Sequence, residues 1–332
     1  MSIERIGIIG AGAWGTALAG VAAQAGRAVT IWALEPEVAE AINTGHENRV
    51  YLPEVALDPQ IRATTDLAEA AGADAVLLAA PTQHLRSVTE RLAPHLAPAT
   101  PVVICAKGIE NESRALLSDV IAETLPGAVP AVLSGPTFAR EVANGLPTAV
   151  TLACRDEICA DALVQALGGR TFRPYRSADL TGAQIGGAVK NVMAIACGIV
   201  SGRDFGDNAR AALITRGFAE ILRFGVAMGA KPETLMGLSG LGDLVLTATS
   251  SQSRNMSLGL ALAKGENARD YLAARRSVAE GAHTASALCE MAQARGIEMP
   301  IALAVDRILN HGAEIDAEIA GLLARPFKAE TG

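Results

Sequence analysis

The sequence is short of aromatics, short of lysine and without an excess of positive charge. Only 3% of its 332 residues are aromatic and 19% are charged. The formal net charge is −7. A chain with that balance and no basic stripe does not read as a nucleic-acid binder. Its five cysteines (Cys105, Cys154, Cys159, Cys197, Cys289) are odd in number and contain no C-x-x-C. They suggest neither a disulfide framework nor a zinc site, and a reducing compartment is the simplest reading. The five histidines are scattered without metal spacing, so no metal is expected. No uninterrupted apolar run reaches the roughly 18–20 residues of a membrane span. The apolar stretch Ala11 to Ala25 lacks the basic flank of a signal peptide, and glycine spacing explains it better. A cytoplasmic protein is the expectation. Half of the residues are hydrophobic, so a sizeable core is assured, and the length suits two domains.

What is abundant is glycine in informative places. Arg5 to Ile9 is an apolar run leading into Gly10-Ala-Gly-Ala-Trp-Gly15, which fits G-x-G-x-x-G and opens an alanine-rich helix, Thr16 to Ala25. In a dinucleotide fold the first glycine makes the tight turn and the second lets a pyrophosphate approach the backbone. The third lets helix and strand pack closely. The helix N-terminus adds free N–H groups for the phosphates. A second strand, Ala28 to Ala33, ends at Leu34-Glu35-Pro36. Glu35 stands where an acidic residue accepts from ribose hydroxyls and repels a 2′-phosphate. It equally suits the start of a Pro-initiated helix, Pro36 to Asn43.

A polar loop is expected over Gly45 to Pro53. Three near-continuous apolar runs follow: Asp74 to Ala80, Pro101 to Ala106 and Ala131 to Ser134. Such runs mark strands buried on both faces. They deliver Pro81-Thr82-Gln83, Lys107-Gly108 and Gly135-Pro136-Thr137 to the carboxyl edge of one sheet, where ligands of open α/β sheets sit. Further strands are expected over Thr148 to Leu152 and Thr171 to Tyr175, flanking a helix from Glu157 to Leu167. Beyond about Asp179 only helices are expected, among them Leu213 to Met228, Ser257 to Lys264, Thr284 to Arg295 and Ile301 to Asn310. The sequence therefore predicts a parallel-sheet dinucleotide domain, residues 1–183, followed by an all-helical domain for substrate and dimerisation, residues 184–332.

Of 28 basic residues only five are lysine. Two of them stand in apolar surroundings. Lys190 lies in the helix Ile185 to Val200, whose Ile185, Val189, Val192, Ile199 and Val200 form an apolar face. Gly187, Ala194 and Gly198 lie opposite, with Lys190 and Asn191. A desolvated lysine there has the lowered pKa that a general base needs. A lysine snorkelling from a domain interface is the plainer alternative. Lys107 ends a buried strand, placed to hold a phosphate or polarise a carbonyl, or simply to solvate a strand end. The stretch Thr247 to Asn255 groups small hydroxyls with Arg254 and resembles an oxyanion loop, though composition also fits a solvated Ser/Thr loop. Asp243 either caps the following helix, orients Lys190 or accepts from a substrate hydroxyl.

These motifs resemble the bacterial NAD(P)-dependent glycerol-3-phosphate dehydrogenases nearly end to end. The matching stretches include Gly10-Ala-Gly-Ala-Trp-Gly-Thr-Ala, His46-Glu-Asn-Arg-Val-Tyr-Leu-Pro, Ala80-Pro-Thr-Gln, Lys107-Gly-Ile-Glu and Leu133-Ser-Gly-Pro-Thr-Phe-Ala. They continue through Gly187-Ala-Val-Lys-Asn-Val, Gly206-Asp-Asn-Ala-Arg-Ala-Ala-Leu, Gly240-Leu-Gly-Asp-Leu, Ser253-Arg-Asn and Val278-Ala-Glu-Gly. The resemblance implies reversible reduction of dihydroxyacetone phosphate to sn-glycerol 3-phosphate for phospholipid synthesis, by a homodimer. It implies that Lys190 accepts the proton, and that Lys107, Gly135, Thr137, Asp243, Ser253, Arg254 and Asn255, with Asn191 beside Lys190, meet substrate. Ala13, Trp14, Tyr51, Lys107, Ala139, Arg254, Val278 and Glu280 would meet the cofactor, with Gly10, Gly12 and Gly15. Members preferring NADPH often carry basic residues where Leu34 and Glu35 stand, so NAD(H) is the expected preference, with NADP(H) usable. A 3-hydroxyacid or ketopantoate-type dehydrogenase is the enzymatic alternative. A dinucleotide sensor without turnover is the other, but it has no use for Lys107, Lys190 and Ser253 to Asn255 together.

Overall fold

In the computed structural model, described over residues 2–275, 278–327 and 329, the sheet follows from those apolar runs. Its strands are β1 (Arg5–Ile9), β2 (Ala28–Trp32), β5 (Arg62–Thr64), β6 (Ala75–Leu78), β7 (Pro101–Ile104), β8 (Val129–Ser134), β9 (Thr148–Cys154) and β10 (Phe172–Ser177). A separate hairpin joins β3 (Glu47–Asn48) to β4 (Leu52–Ala56). The eight-stranded order is β10-β9-β8-β7-β6-β1-β2-β5. The order of strands reverses its course at β1, which pairs in parallel with β2 on one side and β6 on the other. That is the switch point at which such sheets bind ligands. Ile6 and Ile8 pack into one core layer and Ile9 into the other, so both faces are covered.

The sheet departs from the expected all-parallel form at one place. β9 runs antiparallel to β8, and β10 then pairs in parallel with β9. The chain turns back after β8 through the short helix Ala139–Ala143 without crossing the sheet. The stretch expected as a polar loop also contains the hairpin. A two-residue strand and Pro53 give no period-two signal, which is why the pattern concealed it.

Beyond β10 the described residues form helices and turns only. The central one, Leu180–Gly202, begins with Asp179 capping Gly182 N. Its first turn puts Leu180 and Ala183 in the core layer of the sheet, while Ile185 onward belongs to the helical core. The helix thus runs through the expected division at 183/184. It is also buried on every side from Gly182 to Ile199, rather than along one apolar face. By length and composition alone it would cross a bilayer, but it lies 83% buried inside the protein. A helix that is apolar all round belongs in a core of this kind.

The small residues of this helix admit a second backbone. A Cβ at Gly198 would stand 2.2 Å from Met256 O, and one at Gly259 would stand 2.1 Å from Ile195 O. Helix Arg254–Ala263 therefore crosses the central helix in backbone contact, and its first residue is carried toward Lys190.

Candidate active site

The glycine turn has the geometry its spacing predicts. Gly10 takes φ +113, a conformation closed to most side chains. A Cβ on Gly15 would fall 1.9 Å from Gly10 O. Gly12 differs: its backbone is ordinary, at φ −68 and ψ 178, and a Cβ there would meet nothing within 4 Å. Protein packing does not require glycine at 12, and the space over it is open to a group approaching from outside. Helix Ala13–Gln24 starts there with no side-chain cap, leaving its first N–H groups free. Beside it, the buried Trp14 Nε1 has no hydrogen-bond partner among the described residues. Ala13, Trp14, Tyr51 and Ala139 line one half-buried apolar margin of the core. An unpartnered indole, open N–H groups and clear space over Gly12 suit a pyrophosphate-bearing dinucleotide.

Glu35 does not cap its helix. Pro36–Gly45 begins without a side-chain cap, and Glu35 Oε1 instead accepts from the Tyr51 hydroxyl at 2.7 Å.

On the other side of the crevice the lysines converge on one carboxylate. Lys107 Nζ donates to Asp243 Oδ2 at 2.7 Å, and Lys190 Nζ donates to Asp243 Oδ1 at 2.9 Å. Asp243 is 1% exposed and Lys190 6%, so Lys190 does not snorkel. Lys107 Nζ also donates to Gly135 O at 2.8 Å and Thr137 Oγ1 at 3.2 Å, which gathers the ends of β7 and β8. Asp243 opens its helix, but the cap position is Gly242 and the carboxylate is spent on the lysines. A π-helical turn, Leu238–Gly242, brings it there; such turns recur at functional sites.

Thr247, not singled out as a site residue from sequence, completes the cluster. Its hydroxyl accepts from Lys190 Nζ at 2.7 Å and lies 3.2 Å from Asp243 Oδ1. The signal was available: Thr247 follows Asp243 by one helical turn, on the same face.

Burial is the main influence on Lys190 and lowers its pKa to about 8. Asp243 opposes that shift, while Lys107 and Arg254 reinforce it. Arg254 is exposed, with no hydrogen bond or ion pair among the described residues, yet enough protein surrounds it to lower its pKa by desolvation against the pull of Glu280. Two lysines and an arginine against Asp243 and Glu280 leave a net positive crevice, as a phosphorylated substrate requires.

The expected oxyanion loop proves to be mostly helical. Thr247 and Thr249 lie in helix Asp243–Thr249, and only Ser250 to Ser253 is loop. Ser253 caps helix Arg254–Ala263 by accepting from Met256 N at 3.2 Å. Asn191 and Asn255 form a buried relay. Asn191 Nδ2 donates to Lys107 O at 3.0 Å, Asn255 Nδ2 donates to Asn191 Oδ1 at 2.9 Å, and Gly281 N donates to Asn255 Oδ1 at 3.0 Å. The two amides thus join the sheet's edge to three helices. Glu280 crosses between the halves too: its Oε1 accepts from Thr82 N at 3.1 Å, while its buried Oε2 has no hydrogen-bond partner among the described residues. Val278 lies half-buried two residues before it.

The N-terminal model of NAD-dependent glycerol-3-phosphate dehydrogenase matches residues 5–160, and the C-terminal model matches residues 179–320. The glycerol-3-phosphate dehydrogenase [NAD(P)+] of Parvibaculum lavamentivorans is 60% identical over 331 residues, covering 100% of this chain and 99% of its own. That of Caulobacter vibrioides is 57% identical over 330 residues, covering 99% and 100%. A crystal structure of glycerol-3-phosphate dehydrogenase from Coxiella burnetii superimposes with TM-score 0.93 at 39% identity, covering 97% of this chain and 99% of that one. The sheet with its glycine turn, the helical half with its lysine cluster and these end-to-end matches lead to one conclusion: the chain belongs to the NAD-dependent glycerol-3-phosphate dehydrogenase family.

Proposed function

We propose that this protein interconverts dihydroxyacetone phosphate and sn-glycerol 3-phosphate with NAD(H) as the preferred cofactor, supplying glycerol phosphate to phospholipid synthesis. The observation that carries the reading is the buried Lys190 ammonium, held between Asp243 and Thr247 at the edge of a positive crevice. A nicotinamide, once bound, would supply or accept the hydride at C2. In the reducing direction Lys190 donates a proton to the C2 oxygen; in the oxidising direction its neutral amine removes it. Its pKa near 8 makes both forms accessible close to neutral pH. Asp243 and Thr247 fix the direction in which the amine points. Lys107, tied to the same carboxylate and to Gly135, places a second positive charge by the carbonyl oxygen. Arg254, at the N-terminus of its helix and with no hydrogen bond or ion pair among the described residues, takes the phosphate, with the helix dipole in support.

Gly10 to Gly15 hold the pyrophosphate, with Ala13, Trp14 and Ala139 along its edge and Val278 and Glu280 reaching over from the helical half. Glu35 accepts from the adenosine ribose and opposes a 2′-phosphate. The same reading includes a cytoplasmic homodimer, with residues 184–332 as the part serving substrate and dimerisation.

Reduction assays with dihydroxyacetone phosphate and with 2- and 3-oxo acids, each with NADH and NADPH, test the reading. Turnover of dihydroxyacetone phosphate with a higher kcat/KM for NADH is expected. Preference for an oxo acid would reject the substrate, and a strong NADPH preference would reject the role of Glu35.

A further inference from the structure

We infer that the hairpin β3–β4 is a specificity-determining element, in which Asn48 and Tyr51 position Glu35 to discriminate between dinucleotides with and without a 2′-phosphate. The inference rests on the reading of Glu35 as the ribose acceptor and adds what makes that carboxylate effective.

The hairpin is fastened to the glycine turn from inside. Asn48 is 1% exposed. Its Nδ2 donates to Ala11 O and to Thr16 Oγ1, both at 2.8 Å. Ala11 lies between Gly10 and Gly12, and Thr16 on the first turn of the following helix, so Asn48 holds both sides of the phosphate-binding turn. Its remaining polar atom, Oδ1, accepts from Tyr51 N at 3.1 Å. Tyr51 then reaches across to the end of β2, where its hydroxyl donates to Glu35 Oε1 at 2.7 Å. One chain of hydrogen bonds thus runs from the glycine turn through the hairpin to Glu35.

The shorter carboxylate of an aspartate at the head of a helix accepts from the free N–H groups of its own first turn. Glu35 does not. Tyr51 occupies one of its oxygens and leaves Oε2 for the paired hydroxyls of a ribose. Both side chains are half-buried, so the carboxylate is restrained where water would otherwise let it swing away. A restrained anion both accepts from the ribose and repels a 2′-phosphate. A mobile one does each poorly, because a dianion can push it aside. Leu34, next to it and 67% exposed, offers no positive charge in compensation.

The test uses the adenosine half of the cofactor alone. Calorimetry would measure ADP-ribose and 2′-phospho-ADP-ribose binding to the full-length wild type and to the Tyr51→Phe, Glu35→Gln and doubly substituted proteins. Tyr51→Phe keeps the ring and its packing and removes only the donor. The wild type is expected to prefer ADP-ribose. Tyr51→Phe should narrow that preference by about tenfold, the order expected for one hydrogen bond to a charged group. Glu35→Gln should narrow it too, and the double variant no further than Glu35→Gln alone. If Glu35→Gln narrows the preference while Tyr51→Phe weakens both ligands equally or changes neither, the inference fails and the reading of Glu35 stands. If Glu35→Gln leaves the ratio unchanged, or the wild type has no preference, the reading of Glu35 fails and the inference with it.

Discussion

The glycine turn itself is one stretch of chain, Gly10 to Gly15. Around Asp243 the groups come from segments far apart: Lys107 is 136 residues away and Lys190 is 53. The first region is specified by backbone geometry and the second by side-chain charge. Backbone sites tolerate little change of shape but need no partner. Charge sites tolerate shape better, but each member depends on the others, since a buried ion left unpaired is costly. The two regions should therefore fail differently.

The largest effect is expected from Asp243→Asn. It leaves two ammonium groups against a neutral amide in a buried place and should destabilise the fold by about 3–5 kcal/mol. Because Asp243 raises the Lys190 pKa, removing its charge should also move the basic inflection of the pH–rate profile from about 8 to lower pH. Turnover lost with no change in that inflection would argue that Asp243 acts on substrate and not on Lys190.

A paired substitution in the glycine turn is expected to be milder. Gly15→Ala places a methyl against Gly10 O and should cost about 1–3 kcal/mol of stability. Gly12→Ala meets open space, so stability should change by no more than about 0.5 kcal/mol. NADH binding should nevertheless weaken by about tenfold, equivalent to about 1.4 kcal/mol. Thermal melts and fluorescence titrations separate the two; equal stability loss in both would mean that Gly12 also serves packing.

A smaller effect lies away from both regions. Glu220 is buried and accepts from Ile301 N at 2.7 Å and Ala302 N at 3.2 Å, which joins helix Gly206–Ala227 to the start of helix Pro300–Asn310. Burial raises its pKa to about 7 from 4.5, against the two N–H donors and Arg223 and Arg325. The folded state thus binds a proton that the unfolded state has released. The stabilisation is complete below about pH 4.5 and fades as pH rises through about 7. Glu220→Gln should flatten this dependence in melts between pH 5 and 8. An unchanged slope would show that another group titrates there.

The same contrast governs how much was legible in sequence. β1, β6, β7 and β8 are continuous apolar runs because both their faces are covered, and the spacing of Gly10 and Gly15 is readable because Gly10 takes a positive φ and Gly15 packs on Gly10 O. Lys190 and Lys107 drew attention by being charged in apolar surroundings. Their convergence on Asp243 was not legible, because nothing local distinguishes an aspartate that opens a helix from one that caps it. Ser253 and Asn255 were legible as polar residues near Arg254, but not as a helix cap and a buried relay. The antiparallel β9 escaped because strand direction is set by how the chain returns, not by its composition. The hairpin escaped because its first strand is too short to show a period, although it carries Tyr51 to Glu35.

Lys190→Met tests most directly whether the charge cluster performs the chemistry and the glycine turn only holds the cofactor. Turnover of dihydroxyacetone phosphate and NADH binding should be measured on the same preparation. Turnover is expected to fall by about 10²–10⁴-fold, the range of general acid–base catalysis, while the NADH Kd stays within about threefold, less than 0.7 kcal/mol. A parallel collapse of NADH binding, or turnover that survives, would contradict it.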